Sequence, residues 1–253
     1  FRVMGGLRRV GLRHFSEGRH YCSYLFKQSY LRSIMLKAIF FGSVGTLAET
    51  SELQCKAFNK AFDEAGLDWF WHPNEYRELL REPGGVKRIM SEANRRKQSV
   101  DAERIHALKV AHFRDLVATQ GLLPRPGVLE TLGWARTEGL TVSWVTTTGR
   151  DTIDLILMGL RDSITASSFS FIHDTSEVRL PKPAPDIYHR ALQQAGVGMD
   201  EAIAIEDTPE SAISALSAGI KTFGFPGWAT AERPFRQGVQ TLDVLSAAAL
   251  LAR

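Results

Sequence analysis

The chain is poor in the residues that build metal cages and cross-links. It has two cysteines, Cys22 and Cys55, in 253 residues. That excludes a disulfide framework and a CxxC metal pair, and it fits a reducing compartment. No group of Cys and His stands at zinc-ligand spacing. No apolar run reaches the ~18–20 residues that span a bilayer, so no membrane segment is expected. There are no internal repeats and no low-complexity tracts. An excess of charge of one sign is also lacking, since the net charge is only +3.

What charge there is lies unevenly. Residues 1–34 hold seven Lys or Arg against one acid, Glu17, leaving 24 basic and 27 acidic residues in the remainder. The body is therefore mildly acidic, and the basic pI implies no nucleic-acid partner. Residues 1–34 are rich in Arg and Ser and precede Met35. Three readings stay open for them: translated sequence upstream of a start at Met35, part of an organelle transit peptide, or a native basic arm. The expected location is cytoplasmic, or an organelle if the segment is a transit peptide.

At 44% hydrophobic and 23% charged, the rest reads as an ordinary folded protein. Ala38-Ile39-Phe40-Phe41 is a short apolar run breaking at Gly42-Ser43-Val44-Gly45, as a buried strand entering a loop would. Residues 51–118 read as all-helical: 51–66, 73–80, 86–93 and 101–118. Beyond Pro124-Arg125-Pro126-Gly127, helices and strands alternate. Helices are expected over 128–138, 151–159, 184–195, 209–218 and 241–252. Strands are expected over 141–145, near 169–172, and over 202–205 and 221–225. This order predicts an α/β fold, a Rossmann-like parallel sheet flanked by helices, with a small all-helical cap inserted after the first strand. The expected organisation is an extension at 1–34, a core at 35–50 and 119–253, and a cap at 51–118.

Ligands of such sheets bind beyond the carboxyl ends of the strands. The polar residues there are Gly42–Thr46, Thr146-Thr147-Thr148 and Glu206-Asp207, with Lys182 in a loop between them. Hydroxyls and free N–H groups at a helix start suit an anion. Paired carboxylates at a sheet edge suit a hard divalent cation or only a helix start, as Thr208-Pro209-Glu210 follows. Lys182, held between Pro181 and Pro183, sits on a stiff loop. Trp69, Phe70 and Trp71 read as cap core.

Taken together and in this order, strand plus Gly45-Thr46-Leu47, strand plus Thr146, Lys182 and strand plus Glu206-Asp207 resemble the haloacid dehalogenase superfamily. The resemblance is greatest to the subgroup of beta-phosphoglucomutases and CbbY-type sugar-bisphosphate phosphatases, and covers about residues 36–225. In that family the first strand ends Asp-x-Asp-Gly-Thr-Leu. The first Asp attacks the phosphoryl group, the second exchanges the leaving-group proton, and Mg²⁺ bridges phosphate and the first Asp. Here those two positions are Gly42 and Val44.

The resemblance gives Thr146 and Lys182 to the phosphoryl group, and Glu206 and Asp207 to a metal, with weak Mg²⁺ binding expected. It gives Thr46, Thr147, Arg88, Lys109 and Gln54 to substrate, Gln54 standing where relatives often carry His. Ser43 is expected to point away from Gly42 and Val44 by strand alternation. The resulting expectation is a monomeric phosphatase-lineage protein that binds a phosphorylated small molecule, impaired or inactive for want of both Asp residues. A non-catalytic interaction subunit and a hydrolase with a displaced nucleophile remain as alternatives.

Overall fold

Four consecutive apolar residues, Ala38–Phe41, form β1, and every one is buried. A strand apolar on both faces belongs inside a parallel sheet covered by helices. The computed structural model describes residues 36–82 and 84–252 and bears this out. Six strands lie parallel in the order β3-β2-β1-β4-β5-β6. They are β1, β2 (Thr141–Val145), β3 (Phe171–His173), β4 (Ala202–Glu206), β5 (Lys221–Gly224) and β6 (Gln240–Thr241). Side chains of β1 alternate between two cores. Ile39 and Phe41 join the larger one with Val142, Trp144, Ile203 and Phe223, while Ala38 and Phe40 join the smaller one with Val145 and Ala204.

The helices, in chain order, are α1 (Val44–Leu47), α2 (Ser51–Glu64), α3 (Pro73–Leu79), α4 (Gly85–Arg96), α5 (Ala102–Gln120), α6 (Val128–Thr137), α7 (Arg150–Gly159), α8 (Asp186–Ala195), α9 (Pro209–Ser217) and α10 (Ala247–Leu251). Helices α6 and α7 bring Ala135, Ile153 and Ile156 to the larger core, and α8 and α9 bring Ile187, Tyr188 and Ala215 to the smaller one. The order of strands reverses between β1 and β4, each bonded to the other in register. This is the switch point where open α/β sheets leave a crevice.

Between β1 and α6, a third core is aromatic. Phe58, Phe62, Trp69, Trp71 and Tyr76 cluster with Ile89 and Ile105. Trp71 meets Phe62 edge to face at 4.8 Å and stacks on Tyr76 at 5.9 Å. Trp69 and Trp71 are buried as expected, but Phe70 between them is exposed. Helix α5 starts at an Asp101 cap, whose carboxylate accepts from Arg104 N at 3.0 Å. Its first half carries Ile105 into the aromatic core, and its second half carries Phe113, Leu116 and Val117 into the larger core. The helical insertion is thereby held to the sheet.

Two expectations are corrected. The final helix is limited to Ala247–Leu251, and Gln240–Thr241 pair with β5 as a short sixth strand. Two exposed polar residues carry no alternation to show it. The stretch after β1 includes a helical turn, α1, where a loop is expected. Residues 1–34 lie outside the described residues. Among the described residues, no helix is long and apolar enough to cross a membrane.

Candidate phosphate site at the sheet switch point

Gly42 closes β1, donating its N–H to Ile205 O at 2.9 Å. The chain then turns, and Thr46 Oγ1 donates to Ser43 O at 2.7 Å to tighten α1. The neighbouring strand β4 ends at Glu206, whose side chain reaches back across the sheet. A Cβ at residue 42 would overlap the Glu206 carboxylate carbon and both its oxygens. The space of the missing side chain is filled by a carboxylate from the next strand.

That carboxylate is saturated with donors. Its Oε1 accepts from Lys182 Nζ at 2.5 Å and from Tyr188 Oη at 2.6 Å. Its Oε2 accepts from Ser43 N at 3.1 Å and from Ser43 Oγ at 3.3 Å. Lys182 Nζ also donates to Val145 O at 2.7 Å and lies 4.9 Å from the Tyr188 ring centre. Glu206 is fully buried and the Lys182 side chain is 4% exposed. Desolvating two such charges costs several kcal/mol each, recovered only where the remaining bonding positions are filled, as they are here. Burial, with the charge of Glu206 second, pushes the Tyr188 hydroxyl well above its ordinary range, so it stays a donor.

Asp207 begins the loop after β4. Its Oδ1 is buried with no hydrogen-bond partner, and its Oδ2 packs on Gly45, where a Cβ would overlap it. Burial first, and the negative Glu206 second, push its carboxyl up to about 7; Lys182 and Arg125 oppose this. Arg125 frames the same corner, donating to Gly45 O and Phe225 O from Nη1 and to Pro226 O from Nη2, each at 2.7 Å. Thr230 Oγ1 donates to Asp207 O at 2.6 Å.

Between these strand ends and the helical insertion lies a cleft of ≈ 320 Å³. Ser43, Val44, Thr50, Gln54, Thr148, Thr152, Asp207, Thr208, Thr230 and Arg233 are among its lining residues. Gln54 is fixed from both sides. Its Nε2 donates to Thr50 Oγ1 at 3.1 Å, and its Oε1 accepts from the buried Lys109 Nζ at 3.0 Å. The cleft thus offers hydroxyls, an amide and a guanidinium.

The structure places the expected site residues differently from one another. Val44, Gln54 and Asp207 line the cleft, and Glu206 and Lys182 meet beneath it. Thr46 and Thr146 are buried with their hydroxyls in turns, Thr146 Oγ1 accepting from Thr148 N at 3.1 Å. Thr148, not Thr147, reaches the cleft wall. Arg88 is a structural clasp, donating to Leu79 O and Glu82 O at 2.9 Å each and lying 5.6 Å from the Tyr76 ring centre. Lys109 is not among the lining residues and donates to Gln54, which is.

Ser43 departs from the alternation expected of it, because β1 ends before it and the backbone turns. Its hydroxyl lies on the same carboxylate that fills the space of residue 42, and 3.0 Å from Ser211 Oγ. Tyr188, Arg125 and Arg233 carry no signal in the sequence that marks them for the site. Tyr188 reads as a helical core residue, and the two arginines come from loops whose fold is not coded in a periodicity.

The donor set does not suit the Mg²⁺ that the resemblance implies. A hard cation takes oxygen ligands with free lone pairs. Glu206 spends its oxygens on four donors, which leaves Asp207 as one carboxylate. Among the described residues, no group of three or more His, Cys, Asp or Glu is placed to hold a metal.

Comparison with known proteins agrees with the fold. A model of the haloacid dehalogenase-like hydrolases matches residues 44–225. Protein CbbY of Rhodobacter capsulatus is 34% identical over 220 residues, 86% of this chain and 97% of that protein. The crystal structure of CbbY from Rhodobacter sphaeroides in complex with phosphate is 33% identical with a TM-score of 0.70, over 83% of this chain and 94% of that one. A mutant of that protein in complex with xylulose-(1,5)bisphosphate is 34% identical, with the same TM-score of 0.70 and the same shares covered. The six-stranded sheet, the matched residues and the CbbY relatives together show that the chain belongs to the haloacid dehalogenase-like hydrolases, as a phosphatase-type member of the CbbY kind.

Proposed function

We propose that this chain binds a phosphorylated small molecule of the phosphosugar class in the cleft above Gly42 and does not hydrolyse it. The observation that carries the reading is the end of β1. Neither residue 42 nor residue 44 has a carboxylate, and the space of side chain 42 is occupied by Glu206. Phosphoryl transfer through an aspartyl intermediate needs a nucleophile and an acid–base partner. General acid–base help alone contributes about 10²–10⁴-fold. Gly42 has no reacting group, and Val44 exchanges no proton.

Binding makes smaller demands. An ester phosphate needs donors held in place, and the cleft supplies the hydroxyls of Thr148 and Thr208, the Gln54 amide and the Arg233 guanidinium. Arg233 is paired with Glu210, which orients it. Lys182 adds little to an anion while Glu206 holds it. No step is routed through Mg²⁺. The ligands of CbbY, phosphate and xylulose-(1,5)bisphosphate, support this ligand class.

The test is calorimetric titration with inorganic phosphate, xylulose 1,5-bisphosphate and simpler sugar phosphates, with phosphate release followed in parallel. Saturable binding without release supports the reading, and absence of binding to every ester rejects it.

One observation favours a second reading, a hydrolase with a displaced nucleophile. Ser43 is a lining residue of the cleft, and its Oγ lies 3.3 Å from a carboxylate oxygen of Glu206. Any turnover through it disappears in Ser43→Ala while ester binding persists.

A further inference from the structure

We infer that Lys182 is the resident cation of this site, its ammonium standing at Glu206 in place of a divalent metal, and that the loss of a side chain at residue 42 made the exchange. The inference rests on the reading of the site as a former phosphoryl-transfer centre, and its test uses no phosphate. Three observations lead to it. The Glu206 carboxylate enters the space of side chain 42, which no residue larger than glycine leaves open. There it meets Lys182 Nζ at 2.5 Å, with both side chains almost wholly out of water. Tyr188 Oη, Ser43 N and Ser43 Oγ also donate to this carboxylate.

A divalent ion entering here has to break this array. It must expel a buried ammonium or pull Glu206 off a hydroxyl and two serine donors. It then finds Asp207 as the second carboxylate, tucked against Gly45 with Oδ1 buried. Mg²⁺ also demands near-ideal octahedral oxygens and sheds its waters reluctantly. The internal cation has no such demands. It is covalently tethered, and Val145 O and the Tyr188 ring face complete its shell.

The test is Mn²⁺ titration followed by electron paramagnetic resonance, on wild type and two variants, with melting curves for each. Wild type is expected to leave the Mn²⁺ signal free up to about 1 mM. Lys182→Met keeps an unbranched side chain one atom shorter and removes its charge, leaving Glu206 without a counter-ion. It is expected to bind Mn²⁺ at least ~10-fold more tightly than wild type. Gly42→Asp is the second variant, needed where Lys182→Met does not fold. Its carboxylate drives Glu206 from its present place, and it too is expected to gain Mn²⁺ binding. Stoichiometric, micromolar Mn²⁺ binding by wild type overturns the inference. So does a folded variant of either kind that binds no better than wild type.

Discussion

Residue 42 shows how an absent side chain is structural information. Glycine leaves a hole at the end of a buried strand, and a hole beside a long carboxylate does not stay empty. Glu206 fills it and takes Lys182, Tyr188 and Ser43 as partners. The energetic consequence is asymmetric. Removing one member of a buried pair strands the other and costs about 3–5 kcal/mol, while replacing both by apolar groups of similar volume is often near neutral. Glu206→Gln and Lys182→Met are each expected to lose on the order of 3 kcal/mol in denaturant unfolding, and the double variant much less than the sum. Additive losses would show that the pair does not act as a unit.

That residues 42 and 44 carry no carboxylate was legible in the sequence, and the flanking Gly45-Thr46-Leu47 gave the register for the proposal built on it. The response of Glu206 was not, because it depends on β1 and β4 lying side by side, 164 residues apart in the chain (residues 42 and 206).

At the scale of elements, strand β1 and the strands that share its cores were visible as apolar runs, and α2 and α5 as amphipathic repeats. What the repeats could not show is how α2 and α5 share a polar contact inside their interface. Lys109 on α5 is buried against Phe58 and Phe113, each ring centre 5.1 Å from Nζ, and donates to Gln54 on α2. Burial first, and the nearby Arg88 second, bring its pKa from 10.5 down to about 8. The folded chain therefore releases this proton before the unfolded chain does.

Between pH 8 and pH 10.5 the unfolded state binds more protons through this group, so stability rises with pH across that window. Below pH 8 the burial cost is present in full. Lys109→Met is expected to be more stable than wild type at pH 7 by up to about 3 kcal/mol, less the lost hydrogen bond to Gln54. The advantage shrinks as pH rises towards 10.5, in melting curves taken at each pH. A difference that does not change with pH would remove Lys109 from this role.

Over the whole molecule, the insertion and the sheet are joined on both sides of the cleft. Helix α5 spans the two layers. Opposite it, Arg77 of α3 pairs with Glu232 at 2.9 Å and lies 5.7 Å from the Trp228 ring centre, in the loop that carries Thr230 to Asp207. The family architecture was legible from the order of elements. The loop after β5 was not, since its residues have no period, and it supplies two polar residues of the cleft wall, Thr230 and Arg233. The molecule has a phosphatase-type frame, in which residues 42 and 44 carry no carboxylate and the space of side chain 42 is filled by Glu206.

Phosphate release from a panel of small phosphate esters with Mg²⁺ present tests this most directly, on wild type and on Gly42→Asp/Val44→Asp, with a melting curve for each. The account predicts wild type at the uncatalysed background and measurable Mg²⁺-dependent release by the double variant, once the carboxylate introduced at residue 42 expels Glu206. Val44 packs against the larger core, so the melting curve identifies a variant that has failed to fold. Mg²⁺-dependent turnover by wild type would contradict the account, and so would a well-folded double variant no faster than wild type.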